Sequence, residues 1–220
     1  MSGKKTIAIV GATGNMGNAI AKSLAKGNYR ILLIGSNSEK LQALYNEIHI
    51  LQPLADMEIM NCAFEGCWEA DIIIPAVPYT AEKEVAAKIK DVATGKIVIS
   101  ISNPLNETYT ALVTDTGKSA GEELQDALPY SKVIKAFNTI YAEDFAEPVI
   151  DDQTIDSLIA GNDEEALQII AQLVALAGFN PVIAGDLSVS SSMENMQLML
   201  IQLSMKNNYS HHAGWKILHD

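Results

Sequence analysis

Arginine is almost absent from this 220-residue chain. Arg30 is the only one, and 15 lysines and arginines face 27 aspartates and glutamates, a net charge of −12. So acidic a balance argues against a nucleic-acid groove or an anionic membrane surface as partner. Long apolar runs are missing as well. The run Ile7 to Val10 that follows Lys4 and Lys5 is too short for a signal-peptide core. No stretch reaches the roughly 18 uninterrupted apolar residues of a membrane span. Cysteine is scarce: Cys62 and Cys67 have four residues between them, which fits neither a C-x-x-C redox pair nor a zinc half-site. The expectation is two ordinary buried thiols in a reducing cytoplasm, no metal site and a soluble protein.

What remains is ample apolar content, 48% of residues, enough for one α/β domain with a compact extension. Short β-branched runs alternate with amphipathic stretches. Thr6 to Val10 reads as a buried strand, and Met16, Ala19, Ile20 and Leu24 fall at helical spacing over Asn15 to Lys26. Arg30 to Ile34 is a second strand, and Ser38 is placed to cap a helix carrying Leu41, Leu44 and Ile48. Further strands are expected at Glu58 to Met60, Asp71 to Pro75, Lys96 to Ser100 and Lys132 to Ala136. Helices are expected over Ala81 to Lys90 and Ser119 to Leu128. The rhythm then loosens into a strand at Ser157 to Ala160, a helix from Asp163 to Ala177, a strand at Pro181 to Ala184 and a Met-rich helix from Ser191 to Lys206. Continuous apolar strands alternating with helices predict a doubly wound, mostly parallel Rossmann sheet. The acidic segment Tyr141 to Asp152, broken by Pro148, marks the boundary between residues 1–145 and a smaller α/β segment, 146–220.

Directly after the first strand stands Gly11-Ala-Thr13-Gly14-Asn15-Met16-Gly17, a G-x-x-G-x-x-G loop. In such loops the first glycine permits a tight turn, the second lets the backbone approach a pyrophosphate, and the third lets the helix press onto the strand. The helix N-terminus then faces the phosphates with its amides. At the end of the second strand, where an acid would select NAD, stand Ser36, Asn37 and Ser38, with Lys40 one turn on. That favours NADP, with NAD as the alternative. Arg30 lies at the other end of this strand, roughly 15 Å away at ~3.3 Å per residue, so it cannot serve a 2′-phosphate.

Ligands of open α/β sheets lie beyond the strands' carboxyl ends. This points to the loops Val77-Pro78-Tyr79-Thr80, Ser100 to Pro104 and Phe137 to Ile140. Tyr79 and Lys83 form a Y-x-x-x-K pair, but just after the fourth strand, the wrong place for a short-chain dehydrogenase. His49, His211 and His212 read as solvated surface, and Met193, Met196, Met199 and Met205 as core or dimer seam. No acid–base or nucleophile set is evident. Hydride transfer between two rings asks chiefly for alignment, since the cofactors carry the chemistry.

The glycine loop, Ile34-Gly-Ser36, Val77-Pro78, Lys135-Ala-Phe-Asn-Thr-Ile140 and Ala213-Gly-Trp-Lys-Ile-Leu218 resemble the deazaflavin-dependent NADP reductases over nearly the whole chain. These enzymes pass hydride between NADP and coenzyme F420. The module is also similar to the reductase domain of the STEAP metalloreductases. The resemblance implies that Thr13, Gly14, Asn15 and Met16 hold the pyrophosphate and that Ser36 and Asn37 meet the 2′-phosphate. It sets Val77 and Ala81 beside the nicotinamide, with Ser100 or Ile101 supporting it. Ala142 and Ala213 would close the pocket, and Asn138, Thr139 and Ile140 would position the stacked rings. The family usually has Arg at Asn37, and its deazaflavin enzymes carry His at Asn138. A homodimer is the family expectation. The reading is an NADP-dependent oxidoreductase whose acceptor is F420, a free flavin, or a small carbonyl or imine. A non-catalytic NADP(H) sensor is the competing class.

Overall fold

The computed structural model describes residues 3–114 and 117–218. The first half runs β1 (Thr6–Val10), α1 (Asn15–Leu24), β2 (Arg30–Ile34), α2 (Ser38–Leu51), β3 (Asp56–Met60), α3 (Ala63–Glu69), β4 (Ile72–Pro75), α4 (Tyr79–Ile89) and β5 (Ile97–Ser100). It continues through α5 (Ala120–Ala127) and β6 (Lys132–Lys135) to a 3-10 turn at Ala142–Phe145. A small hairpin, β7 (Val149–Ile150) and β8 (Gln153–Thr154), leads to β9 (Asp156–Gly161), α6 (Glu164–Leu176), β10 (Asn180–Gly185) and the long α7 (Ser190–Asn207).

The main sheet has eight strands in the order β10-β9-β6-β5-β4-β1-β2-β3. Every pairing is parallel except β6 with β9, where Lys135 lies opposite Ala160. The two strands of the C-terminal segment therefore extend the first sheet. Alternate residues bury against opposite layers. Ile7, Ile9, Ile31, Leu33, Ile72 and Ile74 meet α1, α2 and α6. Ala8, Val10, Leu32, Ile34 and Ile73 meet α3, α4 and α5. Burial on both faces is why the strands read as unbroken apolar runs.

Strand progression reverses between β1 and β4, the topological switch point at which doubly wound sheets open a crevice. Three local details differ from the sequence expectation. Helix α2 is capped by Asn37, whose side chain accepts from the Lys40 amide at 2.8 Å, and Ser38 is its first residue. Helix α4 starts at Tyr79, two residues early, directly behind Pro78. Helix α3 was not anticipated at all. It is seven residues long, its Phe64 and Trp68 are exposed, and Gly66 lets it lie on β2, where a Cβ would come within 2.6 Å of Ile34 Cδ1.

Candidate active site

The glycine loop links the carboxyl ends of β1, β2 and β4. Both Gly11 and Ala12 donate backbone hydrogen bonds to the Ile34 carbonyl, at 2.8 and 3.0 Å. Gly11 has φ +88°, and a Cβ there would meet the Ala76 carbonyl oxygen at 2.3 Å. A Cβ at Gly17 would meet the Gly11 carbonyl oxygen at 2.3 Å, so this glycine seats α1 on the strand. Gly14 is different. It is exposed, and the nearest atom to an added Cβ is 3.4 Å away. Nothing in the protein requires glycine at this place, whereas a pyrophosphate lying on the backbone does.

Helix α1 supplies the matching electrostatics. Helices α2, α5 and α6 have their first turns capped by the side chains of Asn37, Ser119 and Asp163. Gly14, at the same position of α1, provides no side-chain cap. The first amides of α1 thus stand bare at the positive end of a helix dipole, beside the open face of Gly14. Thr13, Asn15 and Met16 remain at least partly accessible around it. Across the loop, Ser36, Asn37 and Lys40 are exposed. The Asn37 carbonyl oxygen is taken up in capping, which leaves its amide group to meet a phosphate. The residues present fit an NADP-type dinucleotide.

Val77, Pro78 and Ala81 line the β4 side of this edge and are partly or fully exposed. The β5 and β6 loops are welded together. Asn103 donates to the Asn138 backbone carbonyl at 2.8 Å, and Asn138 returns a side-chain bond to Asn103 Oδ1 at 2.9 Å. Phe137 opens its loop at φ +59°, a left-handed conformation costing a non-glycine residue about 1–2 kcal/mol. Its ring is buried and held 5.5 Å from that of Phe145. Asn138, Thr139 and Ile140 are all buried, and Asn138 Oδ1 and Thr139 Oγ1 have no hydrogen-bond partner. Ala142 and Ala213, half-buried, stand on the turn and on the C-terminal tail.

Behind these loops lies a charged cluster whose pairing the sequence does not give. Lys135 and Glu194 are both fully buried and pair at 2.6 Å. The Lys135 ammonium also donates to the Ser102 carbonyl at 2.6 Å. Glu194, from α7, accepts the Ala120 and Gly121 amides at 3.2 and 3.3 Å, and so caps α5 from outside its own segment. Ser102 donates to Glu82 at 3.0 Å, while Glu82 Oε1 has no partner. Burial pushes the Glu82 carboxyl up to about 7, against the attraction of Lys135 and the Ser102 hydroxyl. Two acids and one ammonium in a dry cluster balance best when one acid keeps its proton.

The remaining candidates separate from this edge. Tyr79 bonds Glu123 at 2.6 Å, and with Lys83 it lines a cleft of about 640 Å³ between α4 and α5. Arg30 pairs with Glu58 and Glu69 at 2.6 and 2.7 Å. His49 stacks on Tyr45, and the His211 ring lies tilted against Tyr141. His212 overturns the solvated reading: its Nδ1 lies 3.0 Å from Oδ1 of the buried Asp144. Cys67 is buried, its thiol pushed up to about 12 by desolvation, whereas Cys62 is half-buried. Among the described residues no cluster could hold a metal ion, and no helix is long and apolar enough to cross a membrane.

The comparisons agree with this geometry. The model of the family described as NADP oxidoreductase, coenzyme F420-dependent, matches residues 6–104, from β1 to the loop after β5. The F420-dependent NADP reductase of Methanocaldococcus jannaschii is 31% identical over 216 residues, covering 91% of this chain and 92% of that protein. That of Methanothermobacter marburgensis is 25% identical over 224 residues, covering 96% and 97%. A candidate F420-dependent NADP reductase from Arthrobacter sp. FB24 superposes with a TM-score of 0.81 over 99% of this chain and 100% of that one. At 19% identity that likeness shows the fold alone. With a Rossmann sheet, a bare glycine cradle at its switch point and 31% identity over 91% of its length, the chain belongs to the F420-dependent NADP reductase family.

Proposed function

We propose that this protein is an NADP-dependent oxidoreductase that moves a hydride between NADP(H) and the deazaflavin coenzyme F420. The observation that carries the reading is the open backbone at Gly14 beside the uncapped start of α1, in a chain of this family. In this reading residues 1–145 bind the dinucleotide and residues 146–220 cap the cleft. Gly11, Thr13, Gly14, Asn15 and Met16 hold the pyrophosphate, and Ser36, Asn37 and Lys40 meet the 2′-phosphate. Val77, Pro78, Ala81 and Ser100 border the nicotinamide, Ala142 and Ala213 close over it, and the Asn138 to Ile140 loop sets ring spacing. When bound, the nicotinamide supplies the hydride chemistry. The protein aligns and dries the site, with the Asn103–Asn138 pair holding two of its loops in register.

The assembly is a homodimer in this reading, supported by the exposed Met199, Leu203 and Met205 along α7. Its place is the cytoplasm, in keeping with two free cysteines. The test is anaerobic NADPH oxidation followed after adding oxidised F420, with FMN in parallel. Rapid oxidation with F420 alone is expected. Oxidation with FMN alone would reassign the acceptor, and tight NADPH binding without turnover would favour a sensor.

A further inference from the structure

The reaction proposed above leaves one proton unassigned. NADPH delivers two electrons as hydride, and a deazaflavin takes up a hydride and a proton on becoming its dihydro form. That proton comes either from water or from a side chain standing near the hydride path. Asp144 and His212 form the one imidazole–carboxylate pair at 3.0 Å among the described residues. Asp144 is fully buried and both its oxygens are engaged: Oδ1 meets His212 Nδ1, and Oδ2 accepts the Tyr141 amide at 3.0 Å. The arrangement fixes Nδ1 toward the carboxylate and leaves Nε2 as the exchanging nitrogen on a side chain about a third exposed, at 31%.

The pair's location is given by its neighbours. The His212 ring is two hydrogen bonds from the backbone of Tyr141, the residue after Ile140. The turn Ala142–Phe145 that carries Asp144 packs on α1, the helix opened by the glycine loop, and the Phe145 ring lies tilted against Phe137 at the carboxyl end of β6. The tail is tied to the same corner, with the Trp215 carbonyl accepting the Asp156 amide at 2.9 Å. Both segments hold buried polar atoms without partners: Asn138 Oδ1 and Thr139 Oγ1 in the loop, Trp215 Nε1 in the tail.

We infer that His212, oriented by Asp144, is the proton donor that accompanies hydride arrival at the deazaflavin. This rests on the acceptor proposed above. The hydride leaves C4 of the dihydronicotinamide with its electron pair and forms a C–H bond at C5 of the deazaflavin. The negative charge this creates in the pyrimidine ring is met by a proton passing from His212 Nε2 to N1. The neutral imidazole then takes a proton from water, so NADPH, F420 and one proton give NADP⁺ and the dihydro coenzyme. The titratable group facing the His212 imidazole is Asp144; Glu143 and Tyr141, of the turn and its base, lie against the neighbouring His211, with Glu143 4.0 Å from it. Burial raises the Asp144 carboxyl to about 6, opposed by the Tyr141 amide and by His212.

The experiment is single-turnover reduction of F420 by NADPH, and the reverse reaction, across pH 5.5–9 for wild type and His212→Gln. Wild type should slow with rising pH in the forward direction and accelerate in reverse. The variant should bind NADPH normally, lose about a hundredfold in rate, become nearly independent of pH in both directions and recover with added imidazole. A second readout needs no turnover: oxidised F420 should shift the ring NMR signals of His212 and leave those of His49 in place. Wild-type activity with an unimpaired His212→Gln, or no shift at saturating F420, overturns the assignment while sparing the proposed function. Wild type that binds NADPH but never reduces F420 overturns both.

Discussion

Replacing Lys135 with methionine should reveal what the buried cluster contributes. The substitution keeps the volume of the side chain but strands the Glu194 carboxylate in a site with no exposure, facing only the Ala120 and Gly121 amides at 3.2 and 3.3 Å. It also removes the donor to the Ser102 carbonyl. Breaking a buried ion pair from one side costs about 3–5 kcal/mol, most of it the price of the abandoned charge. For a domain of this size each kcal/mol lowers Tm by about 2–4 °C, so a fall of roughly 10 °C is expected. The double variant Lys135→Met/Glu194→Gln removes both charges and should recover about 2 kcal/mol of that loss. Urea unfolding at neutral pH, followed by far-UV circular dichroism, measures all four corners of the cycle. A single variant within about 1 kcal/mol of wild type, or a double variant equal to the sum of the singles, would refute the coupling.

Three further outcomes follow from the site. Gly14→Val should abolish NADP binding, read by fluorescence titration, while leaving Tm within about 2 °C, because the added Cβ makes only ordinary contact, 3.4 Å from the Gly11 carbonyl oxygen; retained binding would displace the cofactor from this loop. Ser36→Asp should swing preference toward NADH by repelling the 2′-phosphate, seen as a reversed ratio of kcat/KM for the two cofactors. Glu82 has a folded-state carboxyl raised from 4.5 to about 7, so its proton stabilises the fold fully below pH 4.5, and that stability is lost as pH rises through 7. Glu82→Gln should therefore flatten the decline and be the more stable protein at pH 8, by up to about 3 kcal/mol in urea melts; parallel curves would show that Glu82 is charged in the folded state throughout.

The alternation of strands and the glycine loop were legible because both are local: short unbroken apolar runs and a turn that only glycine can make sit within a few residues of each other. Asn37 took the cap assigned to Ser38 because neighbouring polar residues compete for one position, and backbone geometry decides between them. The antiparallel step from β6 to β9 left no trace, since a buried strand reads alike in either direction. The charged pairs were invisible for a related reason. Lys135 and Glu194 lie 59 residues apart, and Asp144 and His212 lie 68 apart. Signals did exist: Lys135 shares the inward face of β6 with Val133, and Glu194 follows Met193 on the buried side of α7. A charge on an apolar face predicts a partner without saying which. His212, beside His211 in a polar tail, offered no such hint.

The antiparallel join has a mechanical consequence. Because β9 and β10 are stitched to β6, the second half of the molecule is fastened to the first along a strand edge instead of hanging from a tether. A pair of lobes joined by a linker can clamp on a ligand by swinging; two halves sharing one pleated slab cannot, since bending would tear its ladder. Among the described residues the tail beyond Asn207 lies outside every strand ladder and helix of the second half. That tail is pinned by Asp156, which accepts both the Lys216 ammonium at 2.8 Å and the Ile217 amide at 2.7 Å. One carboxylate at the foot of β9 thus ties the tail to the slab that both halves share.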